Sequence, residues 1–402
     1  MSYEPRMEIT EEQRATLSGA EGPMMAKCLH TLQRHGDVFG ARRLVPIKSA
    51  HLAGTFKILF YSAYYDLVHR LAESGIKVKV PTTLDPRPGY DFRIRNRFAF
   101  WGQRRLEADL EALGVLPNYS CVCYAQANIP QFGDAVGWAE SSAIIYANSV
   151  IGARTNRNAI MIDVCQAVTG LTPEFGYLLD ENRFGQIHIK LDIETMDAPA
   201  LGFLIGRIAV DRVPVLDHYP FTKVELKNMG AAMAASGAVA LFHVIGLTPE
   251  APTFEAVFPN GPEEVHTIRQ KDLDDLRATA TVQENASVVA IGCPQMTLEE
   301  ALDVGRHFVG KKLAKPTIFH LVPDAYDPFV THEIGKRCLA AGVEVVKHCP
   351  LAALSLRIGG GAKQVLTPSG KLYYYLEDSE YCSLDDALKV CGAADAEQGT
   401  MT

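Results

Sequence analysis

Residues 287–346 constrain the fold more than any other stretch of this chain. "SVVAIG" (Ser287–Gly292) is a short apolar run and predicts a buried strand. "TLEEALDVGRHFVGKK" follows with Thr297 and Glu300 three apart, the mark of a capped helix start. "PTIFHLV" predicts a second strand, "DPFVTHEIGKRCLAAG" a second helix stopped by Gly342, and "VEVV" (Val343–Val346) a third strand. Strand, helix, strand, helix, strand at these lengths leads to parallel strands joined by right-handed crossovers. The expected fold class is α/β, with parallel sheets flanked by helices.

The rest of the chain extends this pattern. With 402 residues it is too long for one small core, and several packed lobes are expected. A boundary is placed near residue 280, separating N-terminal α/β lobes (1–280) from a C-terminal α/β lobe (281–402). Residues 10–36 read as one helix, and "IKVKVPTTLDPRPGYD" (Ile76–Asp91) as an alternating strand ending in a Pro-rich loop. "YSCVCYAQANIPQFGD" reads as a strand and loop, and "GAAMAASGAVALFHVIG" (Gly230–Gly246) as a small-residue helix feeding a buried strand.

Composition excludes several classes. Asp and Glu outnumber Lys and Arg, 47 to 39, and no basic stripe offsets the net charge of −8. Nucleic acid and anionic membrane are therefore not expected as partners. The apolar run at 230–246 is broken by Ser236, Gly237 and His243 and is too short to span a membrane. The acidic start "MSYEPRMEITEEQ" lacks the features of a signal peptide, so a cytoplasmic location is expected.

Nine cysteines without regular spacing do not make a disulfide framework. Two of them fall where parallel sheets collect chemistry, beyond the carboxyl ends of strands. Cys293 follows the first strand above, in "IGCPQ", and Cys349 follows the third, in "VKHCP". One or two strands of separation would leave their thiols within about 5–10 Å, a gap a metal cluster could span. A third thiol could come from "SCVCY". Structural cysteines, a zinc site using His348 beside Cys349, and thiol nucleophile chemistry are the rival readings at this point. "RIGGGAK" (Arg357–Lys363) is glycine-rich but lacks P-loop spacing.

"WAESSAIIYANSVIGARTNRNA" (138–159) poses a separate question. It alternates small apolar residues with many hydrogen-bonding ones. Either these satisfy one another or they face something polar.

Several stretches together resemble the large, catalytic subunit of the aconitase X family: "IKSAHLAG", "VPTTLDP", "SCVCY", "GWAESSAIIYANSVIGARTNR", "IGCPQMTLEEA", "VVKHCP" and "TPSGKLYYY". The resemblance runs through essentially the whole chain. It implies an aconitase-like multi-lobe architecture with the active site in a cleft between lobes. It implies an iron–sulfur hydro-lyase, its cluster 2Fe-2S, 3Fe-4S or 4Fe-4S, acting on a small β-hydroxy acid. Cis-3-hydroxy-L-proline is the first substrate it suggests and (R)-5-phosphomevalonate the alternative. It also implies a partner, a small swivelling-domain subunit, the part that carries the catalytic base in the wider superfamily.

Carried over by position, the cluster ligands implied are Cys121, Cys293 and Cys349. Three protein ligands leave one coordination position open, as in catalytic zinc sites. The catalytic residues implied are Glu140, Ser141 and His51. Substrate contacts fall on Ser49, Gly54, Thr83, Asp85 and Lys371, with Arg154 and Asn156 either binding a carboxylate or fixing the loops that do. Three positions depart from the family's pattern. Asp85 stands where it has Asn, and Gln295 where it often has His. Its Thr-Cys-x-Pro-Tyr reads Ser-Cys-Val-Cys-Tyr here, which leaves Cys123 as a rival to Cys121.

Overall fold

The protein is described by a computed structural model covering residues 6–56, 62–89, 98, 100–125, 127–277, 286–355 and 364–392. The boundary expected near residue 280 and the "RIGGGAK" loop lie outside the described residues.

The architecture is α/β. In the C-terminal region five parallel strands run in the order β12-β11-β10-β13-β14. They are β10 (Val288–Met296), β11 (Thr317–Leu321), β12 (Glu344–Val346), β13 (Val365–Thr367) and β14 (Ser379–Tyr381). β10 is buried along nearly its whole length, as a central parallel strand covered on both faces must be. The helix between β10 and β11 starts on the expected capping box of Thr297 and Glu300. The second crossover is two helices, Pro323–Thr331 and Glu333–Ala341, the latter ended by Gly342 at φ 105°. β11 lies between β10 and β12, so Cys293 and Cys349 sit two strands apart at one edge. β10 runs on through Cys293, and its pairing with β11 shifts register between Ile291 and Met296.

A second parallel sheet, β3-β2-β4, is made of β2 (Ala50–Leu52), β3 (Thr82–Leu84) and β4 (Gly137–Trp138). A third, β8-β7-β6-β9, holds β6 (Ile187–Asp192), β7 (Pro214–Leu216), β8 (His243–Val244) and β9 (Glu264–Arg269). A short antiparallel pair joins β1 (Leu44–Pro46) to β5 (Leu171–Pro173). The small-residue helix is Lys223–Ser236, and its composition has a steric cause. It packs so closely on helix Ala198–Ala209 that a Cβ on Gly202 would lie 2.1 Å from the Met229 carbonyl oxygen.

Three expectations change. Residues 10–36 form two helices, Glu11–Leu17 and Pro23–Val38, because Gly19 and Gly22 take positive φ and Pro23 starts a new first turn. The strand expected within Ile76–Asp91 is reduced to Thr82–Leu84, whose three residues are all buried. "SCVCY" is not a strand: Cys121 lies in a bend and Cys123 opens a single 3₁₀ turn. One core then binds this segment to the C-terminal sheet, joining Cys121, Trp138 and Ile144 to Phe308, Phe319 and Phe329.

Candidate active site

Glu140 and Lys371 form the centre of the candidate site. Glu140 follows β4 and caps helix Ser141–Tyr146, accepting from the Ala143 amide at 2.7 Å and the Ser142 hydroxyl at 2.5 Å. Lys371 lies in the first turn of helix Gly370–Tyr375 and donates to the other Glu140 oxygen. Ser141, half-buried, places its hydroxyl 3.4 Å from that same oxygen. Both charged side chains are under a tenth exposed. Burial alone would raise the Glu140 pKa, but the Lys371 ammonium outweighs it and holds the carboxyl below its usual range. Burial would lower Lys371, and the negative charge of Glu140 pushes it up instead. Glu140 is thus a fixed carboxylate, suited to holding Lys371 and Ser141 in place and not to giving up a proton.

The three thiols surround this pair. Burial pushes Cys293 up to about 11 and Cys349 up to about 12, and raises Cys121 well above its usual value. Lys371 acts electrostatically on all three, and Cys293 on Cys349. The Cys293 carbonyl accepts from the Ser369 hydroxyl, and the Cys349 amide donates to the Arg87 carbonyl at 2.8 Å. Cys123 belongs elsewhere: its thiol neighbours His51. Buried thiols kept neutral in this way are a donor set awaiting a cation, which would convert them to thiolates.

The β3-β2-β4 sheet supplies the third group. His51 on β2 is wholly buried, with Nδ1 2.8 Å from the Thr83 hydroxyl and Nε2 3.4 Å from Asp85 Oδ1. The Asn128 amide fixes Thr83 from behind, at 3.1 Å. Burial would lower the His51 pKa, but Cys123 and Asp85 lift it to about 10. Burial raises Asp85 to about 6, with His51 opposing and Glu140 adding to the shift. Of the two carboxylates, Asp85 is therefore the one that exchanges a proton near neutral pH.

The remaining expected residues divide. Ser49 accepts from the Trp138 indole at 3.3 Å, and its carbonyl takes the Gly137 amide at 2.9 Å, so it straps β2 to β4. Gly54 is glycine because the Tyr64 ring would lie 2.3 Å from any Cβ there. Arg154 and Asn156 are not brought to the cluster. Arg154 donates to the Leu178 carbonyl at 2.9 Å and pairs with Asp180. Asn156 bonds the Phe175 carbonyl and the Tyr177 amide, both at 2.8 Å. Both fix the loop at 175–180.

This answers the question posed by residues 138–159. Asn148 bonds the Thr155 and Ala240 carbonyls, Ser149 takes the Phe242 amide, and Arg157 donates to the Ala234 carbonyl. Most of the stretch satisfies itself and its neighbours, and Glu140 is the member that reaches Lys371 and the electrostatic surroundings of Cys121 and Cys293.

Sequence reasoning missed Lys227 and Glu300, a buried ion pair at 2.5 Å beside Gln295. The only signal was a lysine one turn before the small-residue run of helix Lys223–Ser236, and Glu300 was already explained as a cap.

Three family models match the chain: Aconitase X first domain over residues 6–181, second domain over 185–278 and third domain over 286–391. The chain belongs to the aconitase X family. The phosphomevalonate dehydratase large subunit of Methanocaldococcus jannaschii is 33% identical over 392 residues, covering 92% of this chain and 95% of that one. The cis-3-hydroxy-L-proline dehydratase of Hypocrea jecorina is 32% identical over 316 residues, and the match spans 73% of this chain but 52% of that protein. A crystal structure of Thermococcus kodakaraensis aconitase X in its holo form superposes with a TM-score of 0.84 at 29% identity, covering 97% of this chain and all of the other. Relatives on both sides of this aconitase X family are dehydratases, and the chain is a hydro-lyase, a carbon–oxygen lyase. Among the described residues no helix is long and apolar enough to cross a membrane.

Proposed function

We propose that this chain is the catalytic subunit of an iron–sulfur dehydratase acting on cis-3-hydroxy-L-proline, in a heterodimer with a small swivelling-domain subunit. The observation that carries it is the meeting of Cys121, Cys293 and Cys349, from two distant parts of the chain, around one buried Lys371. Among the described residues no three His, Cys, Asp or Glu side chains are placed to hold a single metal ion. That counts against the zinc alternative, which needs three or four such ligands around one ion. The thiol-nucleophile alternative is disfavoured by burial, which leaves these thiols protonated.

The cluster, when bound, would supply Lewis acidity toward the substrate hydroxyl, an effect worth several kcal/mol. The other contributions come from the chain. Lys371 and the Ser141 hydroxyl, both anchored on Glu140, donate hydrogen bonds to charge that builds on the substrate. Asp85 takes up or gives a proton, and His51, held by Thr83, steadies its charge. Burial of Glu140, Lys371 and His51 keeps bulk water from those three groups.

The charge balance favours an amino acid substrate. Among the described residues Lys371, Lys227 and Arg87 are paired with Glu140, Glu300 and Glu107, and His51 with Asp85, so each of these cations already has a carboxylate. A substrate bringing its own ammonium fits these surroundings better than a phosphate dianion does. The second reading, (R)-5-phosphomevalonate, is favoured by the near-complete length match to relatives that act on it. Those relatives are named large subunits, which supports the small-subunit partner.

Anaerobic co-expression with the small subunit, followed by iron and sulfide analysis and assay of both substrates, tests the proposal. Turnover of hydroxyproline with a loaded cluster is expected. Turnover of phosphomevalonate alone reverses the substrate assignment, and turnover without iron removes the cluster.

A further inference from the structure

Gln295 is wholly buried, and every polar group it carries is engaged around the three thiols. Its side-chain oxygen accepts from the Cys121 amide at 3.3 Å. Its side-chain NH₂ donates to the Leu321 carbonyl at 3.0 Å and the Lys347 carbonyl at 3.3 Å. Its own amide donates to Cys121 Sγ at 3.3 Å. Its carbonyl accepts from Lys227 at 3.1 Å, and Lys227 is itself held by Glu300.

Placement gives these bonds their meaning. Gln295 lies two residues after Cys293, and Lys347 two residues before Cys349. One side chain therefore ties its own Cys293 segment to the backbone of the other two thiol-bearing segments, including one 174 residues away. A primary amide is suited to this, since it offers an acceptor and two donors in one plane. Glutamate would keep the acceptor and lose both donors. Leucine would lose all three bonds and leave the Cys121 amide and two strand-end carbonyls without partners.

We infer that Gln295 is a positioning residue: it locks the Cys121, Cys293 and Cys349 segments in register and aims the Cys121 thiol through an N–H···S bond. This rests on the reading of those cysteines as cluster ligands. Hydrogen bonds to a ligand sulfur tune a cluster's potential, and outer partners of this kind typically change metal affinity about 10–100-fold.

The test compares wild type, Gln295→Leu and Gln295→Glu in the full chain with its partner subunit. Metal-free protein is treated with iodoacetamide, and each cysteine is followed by mass spectrometry. In Gln295→Leu, Cys121 and Cys349 should alkylate at least about fivefold faster, the effect of losing one buried hydrogen bond each. Cys28 and Cys165, buried in a separate core, should keep their wild-type rates. In Gln295→Glu only Cys349 should accelerate strongly, because the bond to the Cys121 amide survives. Loaded protein should lose iron to a chelator about tenfold faster in the leucine variant, with a shifted reduction potential. Equal acceleration of all cysteines, or none at Cys121 and Cys349, overturns the inference. If Gln295→Leu does not fold, the glutamate variant decides it by the contrast between Cys349 and Cys121. Cys121→Ser separates the two claims: unchanged iron content there removes the ligand reading, while the alkylation pattern still reports on the clamp.

Discussion

Replacing Lys371 by Met would break the buried pair with Glu140 and leave a carboxylate with neither water nor a counter-charge. Both side chains are under a tenth exposed, so solvent screening cannot rescue the survivor. Removing one partner of such a pair costs about 3–5 kcal/mol. The Ser142 and Ala143 donors remain, which places the loss toward the lower end. Glu140 and Lys371 are 231 residues apart, so the loss falls on the contact between the β4 segment and the C-terminal sheet. Urea unfolding followed by fluorescence of Trp138, wholly buried in the shared core, reads this directly. The midpoint is expected to fall by on the order of 1 M or more. Glu140→Gln with Lys371→Met should recover much of the loss, leaving a non-additivity of about 2 kcal/mol. The pH dependence follows from the direction of the Glu140 shift. Its folded pKa lies below the usual 4.5, so its stabilising share is present above that value and fades as pH falls through the folded pKa. Lys371 is shifted upward, so its share persists from acid pH until the medium becomes strongly alkaline. The cost of Lys371→Met should thus be greatest at neutral and mildly alkaline pH and shrink in acid, starting above the usual 4.5, because burial without Lys371 raises the Glu140 pKa. Strict additivity of the two substitutions, or a cost that grows in acid, would refute the reasoning.

Other outcomes follow from the same geometry. In metal-free protein Asp85 binds its proton up to about pH 6 when folded, against its usual 3.8. Stability should therefore decline as pH rises between those values, and calorimetry of Asp85→Asn should show that slope removed. Cys121→Ser should abolish iron binding while Cys123→Ser retains it, measured by elemental analysis, because Cys123 faces His51. Arg154→Ala and Asn156→Ala should leave KM within about threefold of wild type and speed proteolytic cleavage at residues 175–182, since both side chains hold that loop. A large rise in KM without loop opening would return Arg154 to substrate binding.

The alternation at residues 287–346 fixed the parallel sheet, because apolar runs separated by capped helices have few other ways to bury themselves. It also carried Cys293 and Cys349 to one edge, since parallel strands must end on the same side. Local signals of this kind are written into neighbouring residues. What Arg154, Asn156 and Gln295 do could not be read there, because a side chain's partner is chosen by segments far away in sequence. Arg154 has the chemistry to bind a carboxylate, yet folding gives its donors to Leu178 and Asp180. Asp85 and Glu140 are both carboxylates on strand-end loops, and the direct Lys371 contact with the Ser142 and Ala143 donors lowers the second, while burial prevails at the first. The sequence determined which groups could act, and the tertiary structure decided which of them lost their water, and beside what.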